Sequence, residues 1–202
     1  MANVLIVFDT RYGNTMKLAK AIGEGARERG AEVRLRRPEI ADPEELIQKN
    51  ERWRKVYEEF RKVQEVSRED FYWADAVVLG SPTRFGNMSA SLKSVIDRMW
   101  GKLWLEGTLI GKVGAAFTST SSIHGGQETT LVSMWFPMIH QGMIIVGVPY
   151  SEQRLISTTK GGSPYGPASV SGPYADKEPD ENEIEIAKTL GRRVADVSEK
   201  LK

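Results

Sequence analysis

"VLIVFDTRYGNTMKLA" (residues 4–19) begins with five apolar residues in a row and changes character at Asp9. An unbroken β-rich apolar run is expected of a strand buried on both faces, as in the middle of a parallel sheet. The residues that follow, Asp9 to Thr15, combine two threonine hydroxyls, an arginine, an aromatic and a glycine. They lead directly into a segment where Leu18, Ala19, Ile22 and Ala26 share helical spacing. Asn14 or Thr15 is the expected helix cap and Gly30 the expected stop. A strand that enters a helix through such a loop either turns the chain or holds a ligand.

The same alternation continues outward from this unit. Residues 31–37 (AEVRLRR) alternate apolar and charged side chains, which suits a strand nearer the sheet edge. "DPEELI" predicts a helix start, with Asp42 as cap, Pro43 at the first position and Glu45 closing a capping-box-like pair. The charged stretch beyond it places Trp53, Val56, Tyr57, Phe60 and Val63 on one stripe, the pattern of an amphipathic surface helix with a solvated face. "AVVLGSP" (76–82), "KVGAAFTST" (112–120) and "MIIVGVP" (143–149) read as further buried strands. A helix over about 89–100 turns Leu92, Val95, Ile96 and Met99 inward. After residue 149 comes a long Gly/Ser/Pro/Tyr-rich loop, and a last helix starts near Asp180, with Glu183 three residues on. Strand and helix alternate five times without a repeat or linker. The expected fold is α/β, a doubly wound five-stranded parallel sheet of order 2-1-3-4-5, in a single domain spanning residues 1–202.

Bulk composition narrows the chemistry. Lys plus Arg number 28 against 27 Asp plus Glu, so charge offers no reason to expect nucleic acid or an anionic membrane as partner. There is no cysteine, which removes disulfides, thiol redox chemistry and Cys-ligated metals, and no metal site is expected. No basic stretch precedes the first apolar run, and no apolar segment reaches the length of a membrane span, so a cytoplasmic location is expected. Any redox role then requires a bound cofactor.

In a sheet of this order ligands bind beyond the carboxyl ends of the strands, where the strand order reverses. The loops leaving strands 1, 3 and 4 there are Thr10–Thr15, Pro82–Asn87 and Ser119–Gly126, the loops richest in Gly, Ser, Thr and aromatic residues. The unpaired amides and partial positive charge of a helix N-terminus suit an anion. The first loop lacks both G-x-G-x-x-G and the G-K-[S/T] ending of an NTP-binding loop, so a monophosphate is its better guest. No Ser-His-Asp context surrounds the serines of the third loop, so a hydrolytic role is not expected.

The T-x-x-G-N-T of residues 10–15 resembles the phosphate loop of flavodoxins. "SPTRFGNMSASLK" (81–93), "KLWLEGTLIGK" (102–112), "GGQE" (125–128), "GMIIV" (142–146) and "GGSPYG" (161–166) are similar to the NAD(P)H:quinone oxidoreductases of the WrbA type, in order over nearly the whole chain. The resemblance implies a flavodoxin-like fold and an FMN-dependent enzyme that passes two electrons from NADH or NADPH to quinones by ping-pong hydride transfer through flavin N5. It implies that Thr10, Arg11, Tyr12, Gly13, Asn14 and Thr15 take the FMN phosphate. Pro82, Thr83, Arg84, Phe85, Gly86 and Asn87 would border the flavin ring, with Ser119, Thr120, Ser121, His124, Gly125 and Gly126 opposite. Tyr12 and Trp104 would border the substrate space, and His140 would be the catalytic residue beside the ring. The family assembles as homotetramers whose sites draw on neighbouring subunits.

In this chain the third loop, "TSTSSIHGGQ", carries a histidine where a glycine-rich turn is usual, leaving the role of His124 open, and the charged segment 43–66 receives no role from the resemblance. Two other classes stand beside the enzyme: a flavodoxin-like electron carrier, which the balanced charge disfavours, and a regulatory binding protein, which the charge pattern does not support.

Overall fold

Val4, Ile6 and Phe8 face one layer of core and Leu5 and Val7 the other, the period of two that a strand imposes when both its faces are covered. The computed structural model describes residues 1–202. In chain order its elements are β1 (Asn3–Phe8), α1 (Asn14–Glu28), β2 (Glu32–Arg36), α2 (Glu44–Gln48), α3 (Glu51–Phe60), α4 (Arg68–Trp73), β3 (Ala76–Pro82) and α5 (Ala90–Val95). A π-helical turn (Ile96–Trp100) joins α5 to α6 (Gly101–Leu105). Then follow β4 (Val113–Thr120), α7 (Gln127–His140), β5 (Ile144–Ile145), α8 (Arg154–Ser157), β6 (Ala168–Val170) and α9 (Glu181–Lys200). The sheet order is β2-β1-β3-β4-β5, all parallel, as the alternation predicts, with β6 added beside β4. No helix is long and apolar enough to cross a membrane.

Helices α1 and α9 cover one face, where Leu18, Ile22, Leu190 and Val194 meet Ile6, Phe8 and Phe117. Helices α4, α5 and α7 cover the other, where Phe71, Leu92, Leu131 and Met138 pack on Leu5, Val7 and Leu79. The first pair crosses at backbone distance. A Cβ on Gly25 would lie 2.1 Å from the Lys188 carbonyl oxygen, and one on Gly191 2.0 Å from that of Ile22. Asp180 and Glu183 form the expected capping box of α9. The buried Glu183 carboxylate accepts further from the amides of Gly161 (3.0 Å) and Val170 (2.9 Å), pinning β6 to the helix start.

Several boundaries differ from expectation for identifiable reasons. Gly13, not Asn14 or Thr15, caps α1, because the chain enters the helix through a left-handed residue (φ +94°) that a side chain disfavours. Pro43 caps α2, since the Asp42 carboxylate accepts instead from Arg11 Nη2 at 2.9 Å. The expected helix over 89–100 continues through the π turn to Leu105, which rotates Trp100 and Leu103 into the core. The expected strand 143–149 shrinks to Ile144–Ile145. Gly147 there faces the Pro164 carbonyl at a distance no Cβ would tolerate, so residues 163–166 occupy the place of a longer ladder. Lastly, β6 lies inside the stretch expected to be loop.

The glycine crossing generates a test. Gly191→Ala forces α1 and α9 apart and is expected to cost about 1–3 kcal/mol in denaturant unfolding. Gly101→Ala, in a helical conformation with nothing near the added methyl, is expected to stabilise by up to about 1 kcal/mol.

Candidate functional site

The register of β3 on β4 carries the pairing to Pro82↔Ser119, so the loops leaving β1, β3 and β4 emerge side by side. In the first, the Thr10 amide donates to Asp9 Oδ1 (2.8 Å) and the Gly13 amide to Thr10 Oγ1 (3.1 Å), closing a tight turn. The amides of Asn14, Thr15 and Met16 then open α1 with no protein acceptor. Thr15 Oγ1 lies 3.0 Å from Ser119 Oγ, joining the first loop to the third. Arg11 Nε and Asn14 Oδ1 are buried without a partner.

The second loop is fastened at both ends. The Thr83 amide donates to the Ser119 carbonyl (2.9 Å), and the Ser89 amide to Ser81 Oγ (2.8 Å). Arg84 and Asn87 exchange backbone hydrogen bonds across Phe85 (φ +53°) and Gly86 (φ +81°). Phe85 is thus a large residue held in the left-handed region with its ring fully in solvent, a costly placement. Opposite it, a Cβ on Gly126 would lie 2.8 Å from Gly86 Cα, so the second and third loops touch at their glycines.

Between these loops lies a cleft of ≈ 370 Å³. Thr10, Arg11, Tyr12, Asn14 and Thr15 line it from the first loop, Pro82, Thr83 and Arg84 from the second, and Ser119, Thr120 and Ser121 from the third. Gly13 shapes the first loop from behind, against Val56. Phe85, Gly86, Asn87, His124, Gly125 and Gly126 sit in the loops but outside the cleft wall. Trp104 and His140 are not brought there. Both are exposed in the last turn of helices that run back from the loop edge, roughly 20 Å away by the rise of α7.

The structure adds walls that the sequence did not announce. Asn50, which caps α3, faces the cleft, as do Ser171 and Pro173–Ala175 beyond β6. Ser171 holds this wall in place, its amide and hydroxyl both donating to the Thr120 carbonyl (2.8 and 3.0 Å), while Asn14 Nδ2 donates to the Lys177 carbonyl (2.8 Å). The only sequence signal for this wall was its Gly/Pro content beside "GGSPYG".

Beneath the first loop Asp9 is buried. Burial pushes its carboxyl above the usual carboxylate range, opposed by the Ser89 hydroxyl and the Arg84 guanidinium and reinforced by Asp42. In the third loop the Thr120 hydroxyl donates to the Ser122 carbonyl at 2.8 Å. The arrangement suits a ligand with an anionic end at the α1 terminus and a flat polar body between the second and third loops.

Residues 4–152 match the model of the family described as NADPH-dependent FMN reductase. The chain is 47% identical over 201 residues, covering 100% of both sequences, to a protein of Archaeoglobus fulgidus named NAD(P)H dehydrogenase (quinone). It is 43% identical to a protein of that name from Aromatoleum aromaticum, covering 98% of this chain and 96% of that one. Among solved structures, a flavodoxin, WrbA-like protein from Agrobacterium tumefaciens superposes with a TM-score of 0.69 at 23% identity over 100% of both chains, a likeness of fold.

The buried carboxyl makes a pH prediction. Folded Asp9 keeps its proton to higher pH than the unfolded chain does. Its own contribution to the slope of stability against pH is therefore negative: the stabilisation is full below the unfolded carboxyl range of about 4 and lost as pH rises through the folded value. Asp9→Asn is expected to remove that contribution from denaturant midpoints measured against pH; an unchanged slope would exclude Asp9 as its source.

Proposed function

The chain belongs to the NADPH-dependent FMN reductase family, alongside the NAD(P)H dehydrogenases (quinone), and from this we propose that it is an FMN-dependent enzyme reducing quinones by two electrons at the expense of NADH or NADPH. The observation that carries the reading is the cleft itself, with unpaired α1 amides at one end and hydroxyl-rich loops along the other.

The residues present fit FMN. The orphaned amides of Asn14–Met16 and the buried, unpartnered Arg11 Nε await acceptors that a phosphate supplies. Pro82–Arg84 and Ser119–Ser121 would flank the ring, with Phe85, Gly86, Asn87, His124, Gly125 and Gly126 forming the rims of those loops. When bound, FMN supplies hydride acceptance at N5 and delivery of two electrons to a quinone. Arg84 at the lip would stabilise negative charge at the polar edge of the ring. Tyr12 would bound a space that nicotinamide and quinone enter in turn, which makes the kinetics ping-pong.

The whole of residues 1–202 acts as one domain in this reading, in the cytoplasm. In the same reading Trp104 and His140 would reach the site of a neighbouring subunit of a homotetramer. Both stand exposed, as do Leu105 beside Trp104 and Phe136 and Ile139 on the last turns of α7. There His140 would donate a proton to the quinone oxygen.

Purified protein is expected to be yellow, or to become so with FMN, and to oxidise NADH or NADPH with benzoquinone, giving parallel double-reciprocal lines. A one-electron carrier would not be reduced directly by NADH in stopped flow, and intersecting lines would overturn the ping-pong order.

A further inference from the structure

The first loop is braced from a segment to which the resemblance gave no role. Trp53 of α3 is buried and carries the Arg11 guanidinium over its ring, with Cζ 3.9 Å from the centroid. The Asp42 carboxylate accepts from Arg11 Nη2 at 2.9 Å. Arg11 lines the cleft, and its Nε is buried with no acceptor. A planar cation is thus fixed on its face by an aromatic ring and at one corner by a carboxylate. One buried donor is left unsatisfied on a residue three positions before the start of α1, whose first amides are also unsatisfied. A group with several anionic oxygens at that point would satisfy both sets of donors; a neutral hydroxyl would not.

We propose that Trp53 is a positioning residue that holds Arg11 as the phosphate-reading cation of the cleft, so that the protein selects a phosphorylated flavin over its dephosphorylated parent. This rests on the FMN reading above and assigns α3 a part in ligand choice. The aromatic face fixes the plane of the guanidinium before the ligand arrives, which lowers the ordering cost of binding.

The test titrates flavin-free protein with FMN and with riboflavin, following quenching of flavin fluorescence. The wild type is expected to prefer FMN. Arg11→Gln and Trp53→Leu are each expected to reduce that preference about tenfold, weakening FMN and leaving riboflavin unchanged. Trp53→Phe keeps an aromatic face and is expected to retain most of the preference. A purely structural role for Trp53 would weaken both flavins together, and that result overturns the proposal, as does an unchanged preference in Arg11→Gln, a half-buried position whose variant leaves the core intact. Wild-type protein that binds FMN while the variants keep its preference refutes the proposal alone. Wild-type protein that binds neither flavin refutes the FMN reading and the proposal with it.

Discussion

Burial of the central strands on both faces is the constraint from which the site follows. Val4–Phe8, Ala76–Leu79 and Val113–Phe117 carry no polar side chain, because each face of the sheet lies under helices. The hydroxyls of Ser81, Thr118, Ser119 and Thr120 appear only at the carboxyl ends, where the strands leave the packed layers. Polar chemistry is thereby confined to one rim. Register then does the rest: parallel pairing of β1 with β3 and of β3 with β4 brings the three exits abreast. The cleft needs no separate folding instruction beyond the loops themselves.

Those loops are built to be held, by main chain and hydroxyls together. Thr83 is tied to Ser119, Ser89 to Ser81, Thr15 to Ser119 and Ser171 to Thr120, so no loop stands on its own strand alone. The strained Phe85 turn persists because Arg84 and Asn87 close it and Gly126 packs on Gly86. Preorganisation of this kind leaves the α1 amides open and aimed at the cleft instead of being satisfied within the loop.

Much of this was legible in the sequence, for reasons that particular residues make plain. Unbroken runs such as VLIVF report double-sided burial, and Asp180 with Glu183 reports a capped helix, because both signals are local. What escaped depends on contacts distant in sequence. The three residues of β6 have no apolar run to mark them and are held by Glu183, which also caps α9. The stripe on α3 reads as an ordinary buried face, yet Trp53 meets a residue 42 positions earlier. Trp104 and His140 sit at helix ends on the opposite edge, a separation that motif order along the chain does not encode.

The division of the outer edge of β4 between two partners has one more result. β5 pairs with Val113 and Gly114, while β6 pairs with Thr118–Thr120. The border of the sheet on that side is therefore two short, offset pieces, and the border on the other side, β2, bears Glu32, Arg34 and Arg36. Neither offers the long, flat, uncharged row of amides on which a second polypeptide could template itself. The fold is thus guarded against fibrous self-propagation.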